Sequence, residues 1–261
     1  MRLAANLSWM YRELPWAERF EAAARDGFHG AEILLPYDEP PDWYAGRLRA
    51  SGLSLALINT PVGEGPGRFG WAAVPGAEEP FRQAFDRART VAQATGCGAI
   101  HVMAGHVEGH PAQDCAATMR RNLAHALKLA EADGLVLMLE ALNRQDVPGY
   151  FYWLPQQVLA ILREFDSPRL RMQLDFYHGM KEGLDLLDLV QACAPWTGHA
   201  QIAGVDGRHE PDLGQHRLAE AVEALAQAGY TGWLGCEYAP RATAAEGLGW
   251  SEPLYARGVL A

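Results

Sequence analysis

The chain has no closely paired cysteines, no long apolar run, no excess of positive charge and no glycine after its first apolar segment. Each absence excludes a class of protein. The four cysteines, Cys97, Cys115, Cys193 and Cys236, are scattered over 261 residues. They match neither zinc-ligand spacing nor the dense framework of a disulfide-stapled domain, so buried thiols in a reducing cytoplasm are expected. No stretch approaches the roughly 20 apolar residues needed to span a bilayer, and Met1-Arg2-Leu3-Ala4-Ala5-Asn6-Leu7 turns polar too soon for a secretory signal. A net charge of −10 repels phosphate backbones and anionic lipid, so neither nucleic acid nor membrane is an expected partner. Asn6-Leu7-Ser8-Trp9-Met10-Tyr11 lacks the phosphate-binding glycines of a dinucleotide fold.

What is present is a hydrophobic fraction of 49 % arranged in a period. Short apolar runs lie near 2–7, 30–35, 53–58, 98–103, 135–139, 170–174, 198–203 and 232–236. Helical spacing fills most of the gaps: Ala116, Met119, Leu123, Leu127 and Ala130 share one face over 112–133, and Leu218, Val222, Leu225 and Ala228 do so over 214–228. Pro15 suits the first turn of a helix. Gly27, Gly52, Gly96, Gly134 and Gly229 each stand between a helical stretch and the next apolar run, the place of a C-terminal glycine stop. Eight such units predict an α/β fold, a (β/α)8 TIM barrel over residues 1–261 as one domain, with a short or irregular final helix. A doubly wound open sheet is the alternative. The Gly- and Pro-rich segment 59–80 reads as a long loop after the third run, and its Arg68, Phe69 and Trp71 suit a lid.

The last four runs each end on a polar, oxygen-bearing side chain: Glu140, Asp175, Gln201 and Glu237. In a barrel the strand C-termini form one face, so three carboxylates and an amide would crowd one pocket. Like charges at that range require a proton or a cation between them. An all-oxygen donor set favours Mg2+ or Mn2+ over Zn2+. Glu140 and Glu237, on the fifth and eighth runs, would face each other across the mouth. There they could remove a proton from one carbon beside a carbonyl and return it to the next.

The chain resembles the hydroxypyruvate isomerase family, within the xylose-isomerase-like barrels. The resemblance is carried by Ala5-Asn6-Leu7-Ser8, Gly30-Ala31-Glu32-Ile33-Leu34-Leu35-Pro36-Tyr37-Asp38, Leu139-Glu140-Ala141-Leu142-Asn143 and Pro148-Gly149-Tyr150-Phe151. It continues through Gln173-Leu174-Asp175-Phe176-Tyr177-His178, His199-Ala200-Gln201-Ile202-Ala203, Arg208-His209-Glu210-Pro211 and Gly235-Cys236-Glu237-Tyr238. It implies a divalent metal on Glu140, Asp175, Gln201 and Glu237, with Glu140 and Glu237 as the acid/base pair and His178 and Arg208 as substrate contacts. Arg208 would hold a carboxylate with its fork, making the substrate a small hydroxy-keto acid. The implied reaction interconverts hydroxypyruvate and 2-hydroxy-3-oxopropanoate through an enediolate, with no organic cofactor. The chain departs from the family in the loop Gly63-Glu64-Gly65-Pro66-Gly67-Arg68-Phe69-Gly70-Trp71. If that loop closes over the substrate, the departure bears on the substrate's identity.

A 2-oxo-tetronate isomerase or a ketose 3-epimerase could use the same residues, and pocket size would separate them. The epimerases commonly carry His where this chain has Gln201. A phosphodiesterase of the endonuclease IV type would need more histidine ligands and a basic face. A non-catalytic binding protein would not need both Glu140 and Glu237. Glu32 fits a structural salt bridge as well as a substrate contact, and His101 a structural hydrogen bond as well as the pocket wall. His106, His110 and His209 are scattered, and packing is the simpler role for Trp9, Tyr11, Phe69, Trp71, Tyr150 and Trp250. The sequence leaves the oligomeric state open, a homo-oligomer included.

Overall fold

Eight parallel strands pair in sequence order and close β8 onto β1. They are β1 (Arg2–Asn6), β2 (Gly30–Ile33), β3 (Ser54–Asn59), β4 (Ala99–His101), β5 (Val136–Leu139), β6 (Leu170–Asp175), β7 (Thr197–Ile202) and β8 (Trp233–Cys236). The computed structural model describes residues 1–261, with the backbone alone at Pro66. The helices are α1 (Arg19–Arg25), α2 (Pro41–Ser51), α3 (Glu78–Thr95), α4 (Ala112–Asp133), α5 (Pro155–Phe165), α6 (Phe176–Lys181), α7 (Leu186–Cys193), α8 (Leu218–Gln227), α9 (Ala244–Gly247) and α10 (Glu252–Ala256). The barrel and its fragmented last helix match the expectation from the sequence. Among the described residues no helix is long and apolar enough to cross a membrane.

The main core lies between the outer face of the strands and the helices, where Phe20, Phe81, Phe85, Leu123, Leu162 and Leu225 are buried. Fully burying such side chains is worth about 1.5–3 kcal/mol each. Gly96 and Gly134 end α3 and α4 in the left-handed conformation, at φ of 71° and 73°, which a side chain would resist.

The barrel interior is a separate space, and its two sides differ. Leu57, Ala99 and Met138, on β3, β4 and β5, form a small apolar cluster of their own. On the other side, strand alternation carries Asn6, Glu32, Gln173, His199, Gln201 and Glu237 inward, where their side chains meet. Two register shifts interrupt the pairing, between Ala31 and Glu32 and between Met172 and Gln173. Each falls immediately before one of these inward polar side chains, and such irregularities re-aim the residue that follows.

The long loop after β3 folds back on the loop after β4 through an antiparallel bridge from Gly70 to Ala104. A Cβ on Gly63 or Gly67 would fall 2.1 or 1.9 Å from the Trp71 ring, so this indole needs both glycines bare. Phe69, at φ 64°, turns instead toward the barrel mouth.

Candidate active site

Strand geometry gathers the polar ends at one mouth, where Glu140 and Glu237 line a cavity and Asp175 and Gln201 are buried beside them. Asp175 closes β6 and pairs in register with Gln201 on β7, which in turn pairs with Gly235 on β8. Glu140 and Glu237 follow the last residues of β5 and β8. β6 runs straight into α6, with Asp175 as the helix N-cap, its Oδ1 accepting from the Tyr177 N–H at 2.9 Å. Its Oδ2 is left for the site. The cavity, of about 250 Å3, is lined on its polar side by Asn59, His101, Glu140, Gln173, Arg208 and Glu237 and closed by Val62, Phe69 and Met103. A larger groove of about 650 Å3, walled by Tyr150, Phe151 and Trp153, lies outside this cluster and holds none of the strand-end residues.

Three of the four strand-end residues, Glu140, Gln201 and Glu237, are joined by one chain of hydrogen bonds. The Gln173 amide NH2 donates to Glu140 Oε2 at 2.7 Å and to Gln201 Oε1 at 2.6 Å. The Gln201 NH2 donates to Glu237 Oε2 at 2.5 Å and to Glu32 Oε2 at 3.0 Å. Glu32 also accepts from the Asn6 NH2 at 2.9 Å and pairs with His199 through its other oxygen. Gly235 makes room for it, since a Cβ there would lie 1.8 Å from Glu32 Oε1. Of the two roles open to Glu32, the structural one is found: its carboxylate lies below the cavity and fixes the Gln201 amide.

Arg208 supplies the positive charge. Its Nη2 donates to Glu237 Oε1 at 2.5 Å and to Asp175 Oδ2 at 3.2 Å. The guanidinium lies 4.9 Å from the Trp9 ring centre and 4.5 Å from that of Tyr177, a stacking that Arg tolerates well. Its backbone is in the left-handed region, at φ 53°. Such a conformation costs energy in a bulky residue and needs a surrounding structure to hold it. The Ala239 N–H bonds the Arg208 carbonyl at 2.9 Å.

His178 Nε2 lies 3.6 Å from both Glu140 Oε1 and Asp175 Oδ2. Its Nδ1 accepts from the backbone N–H of Asn143 at 3.0 Å. A backbone N–H can only donate, so the neutral ring carries its proton on Nε2, on the side that faces the two carboxylates. Burial, with Arg208 nearby, holds His178 well below the usual imidazole range.

The carboxylates resist ionisation together. Burial pushes Glu140 well above the usual carboxylate range, and Glu237 and Asp175 push it the same way. Burial likewise raises Glu237 to about 8, opposed by Arg208. Asp175 rises to about 6, again with Arg208 opposing. Glu140 Oε1 is buried without a hydrogen-bond partner. Three buried carboxylates, one guanidinium and an orphaned carboxylate oxygen suit an added cation. Ligand atoms of Glu140, Asp175 and His178 lie within 4.8 Å of one another and form a group that could hold a metal ion. An ion taking His178 Nε2 would require its proton to leave and the bond from Asn143 to break. Gln201 Oε1 meanwhile faces the Gln173 amide.

The structure thus gathers Glu140, Asp175, Gln201, Glu237, His178 and Arg208, and it adds three residues that the sequence reading passed over. Gln173 bridges Glu140 and Gln201, Asn143 holds His178, and Asn59 lines the cavity. Gln173 stands two positions before Asp175, so strand parity would have found it. His101 reaches the cavity wall, its Nδ1 3.4 Å from Glu140 Oε2. His209 is tied to the Ala239 carbonyl at 2.7 Å, and Trp250 to the Tyr238 hydroxyl at 3.1 Å, both structural roles.

Comparison with known proteins agrees with the barrel fold. Residues 20–254 match the family described as the xylose isomerase-like TIM barrel. A 2-oxo-tetronate isomerase of Cupriavidus necator is 41 % identical over 98 % of this chain and 99 % of its own length. A hydroxypyruvate isomerase of Escherichia coli is 32 % identical over 97 % and 99 %. A crystal structure from Brucella melitensis, named as an AP endonuclease of family 2, superposes with a TM-score of 0.92. It is 38 % identical and covers 97 % of this chain and 98 % of its own.

Proposed function

The chain belongs to the xylose isomerase-like TIM barrel family, in its hydroxypyruvate isomerase branch, and from that premise we propose that it moves a carbonyl between C2 and C3 of a small sugar acid. The favoured substrate is a four-carbon 2-oxo-tetronate, with hydroxypyruvate as its three-carbon counterpart. The hydroxypyruvate reading drawn from the sequence yields first place because the 2-oxo-tetronate isomerase is the more similar of the two named relatives, at 41 % against 32 % identity. One observation carries the chemistry. Two buried glutamates with raised proton affinity, Glu140 and Glu237, border one cavity that also holds the guanidinium of Arg208.

In this reading Arg208 receives the substrate carboxylate and orients the chain of carbons toward the glutamates. One glutamate takes the proton from C3 and the other delivers a proton to C2. Each is suited to the task, since burial raises the proton affinity of both carboxyls above the ordinary range. The O3 hydroxyl proton passes to O2, so no proton is gained or lost overall, and His178 Nε2–H, fixed by Asn143, donates a hydrogen bond to the oxygen that becomes negative. Phe69 and Val62 keep water from the intermediate. A divalent ion, Mg2+ or Mn2+, held by Glu140, Asp175 and Glu237, with the Gln201 carbonyl joining them only in exchange for its bond from Gln173, would supply Lewis-acid polarisation of the carbonyl. Nuclease chemistry, which the name of the Brucella relative suggests, is opposed by the net charge of −10.

The test is turnover of both acids in D2O, followed by NMR. Label should enter C2 of the product, and C3 of substrate re-formed by the reverse reaction. Glu140→Gln and Glu237→Gln should each lower kcat by about 10³-fold, the middle of the range for losing a general acid or base. Full activity in either variant sinks the two-glutamate mechanism, and faster turnover of hydroxypyruvate than of the four-carbon acid reverses the order of substrates.

A further inference from the structure

We infer that Asn59 and His101 form an uncharged subsite that binds the terminal hydroxymethyl group of a four-carbon 2-oxo acid. The inference rests on the isomerase reading and adds to it the part of the pocket that measures chain length.

Asn59 ends β3 and His101 ends β4, and the two residues are partners in the parallel register. Both line the cavity that contains Glu140 and Arg208. Asn59 is 8 % exposed and His101 1 %. Yet Asn59 Oδ1 and both ring nitrogens of His101 have no hydrogen-bond partner. A buried polar atom left bare typically costs about 1–3 kcal/mol, so native structures seldom keep three together without a use. The backbone around them is firmly placed. Asn59 N–H bonds Leu34, the Tyr37 hydroxyl bonds the Asn59 carbonyl at 2.5 Å, and Thr60 N–H bonds the His101 carbonyl at 2.8 Å. The backbone that carries the two side chains is therefore fixed at the cavity wall.

The chemistry of the pair selects the ligand. A carboxamide and an imidazole each offer a donor and an acceptor, and a hydroxyl group needs one of each. Neither brings a formal positive charge, and the neighbouring walls are Val62, Phe69 and Met103. A carboxylate or a phosphate would find no counter-charge there. The cation lies across the mouth, at Arg208 in the segment between β7 and β8, while β3 and β4 occupy the opposite arc of the closed sheet. A sugar acid with its carboxylate at Arg208 and its reacting carbons beside Glu140 extends its far end toward Asn59 and His101. In a three-carbon acid that end is the reacting carbon itself. A fourth carbon supplies one hydroxyl more, and the bare atoms of the subsite are its partners.

The test compares kcat/KM for a 2-oxo-tetronate and for hydroxypyruvate in wild type, Asn59→Ala, His101→Ala and the conservative His101→Asn. Asn59→Ala gives the cleanest reading because His101 also stands beside Glu140. In Asn59→Ala the ratio of four-carbon to three-carbon kcat/KM should fall at least tenfold. The fall should appear mainly as a higher KM, because the subsite touches no reacting atom. His101→Asn should recover part of what His101→Ala loses. Thermal unfolding identifies any variant whose fold has failed, and the ratio is then read from the remaining one. An unchanged ratio in an active Asn59→Ala overturns the subsite alone, as does an equal loss on both acids. A wild-type protein inactive on both acids overturns the isomerase reading and the subsite with it.

Discussion

On the arc from β6 through β8 to β2, the inward side chains bind one another; on the arc of β3, β4 and β5, they do not. Glu32 is bonded by Asn6, His199 and Gln201, and Gln201 by Gln173 in turn. Opposite them, Asn59 Oδ1 and both nitrogens of His101 stay bare above an apolar floor of Leu57, Ala99 and Met138. Both arcs are buried and both are polar near the mouth, so burial and polarity do not separate support from recognition. Satisfaction of the hydrogen bonds does. The closed arc holds the ligands of the reaction in place, and the open arc keeps its bonding capacity for something that arrives.

The comparison can be broken most forcefully at Glu32. Glu32→Ala strands His199, Asn6 and the Gln201 amide in the barrel interior. It should cost about 3–5 kcal/mol of unfolding free energy in urea, the range for removing one partner of a buried charged network. A loss under about 1 kcal/mol would mean that the closed arc is not a mutual support.

Acidity gives an effect of intermediate size. Glu237 is raised from 4.5 to about 8, and Glu140 is raised in the same direction. A folded pKa above the unfolded one favours the native state fully below pH 4.5, and that advantage is lost as pH climbs through about 8. Protein stripped of divalent ions should therefore unfold roughly 5 °C lower at pH 8 than at pH 5, a shift of one or two kcal/mol for a chain this size. Added Mg2+ or Mn2+ should reverse the loss at pH 8 by binding only the native form. A flat profile in metal-free protein would place the protons elsewhere. The smallest effect belongs to the open arc. Asn59→Leu removes a bare polar atom, so it should raise the unfolding free energy by about 1 kcal/mol, the low end of what such an atom costs, measured beside Glu32→Ala.

Much of this was legible in the sequence. Glu140, Asp175, Gln201 and Glu237 stand out because a charged or amide side chain ending an apolar run has few bland explanations, and the barrel period puts those ends on one face. The closed arc was harder to read. Gln173 and Asn6 are single polar residues near strand ends, and only parity with a known inward neighbour tells which way they point. The pairing of Glu32 with His199 joins β2 to β7 across the interior, and no local pattern reports a contact between residues so far apart in the chain. Asn59 looked like the first residue of a long loop, whereas the ladder holds it as the last residue of β3. His178 was expected at the substrate, but its tautomer depends on the backbone of Asn143 and has no sequence signal.

The Glu32 network also has a consequence in time. Its partners His199 and Gln201 lie 167 and 169 residues further along the chain. At a synthesis rate of about 5–20 residues per second, the carboxylate exists for roughly 8–30 seconds before either partner has been made. Until then a dry interior would leave this carboxylate with Asn6 as a partner but without His199 and Gln201. Sealing the barrel before β7 is made would therefore bury an under-bonded charge, which is costly.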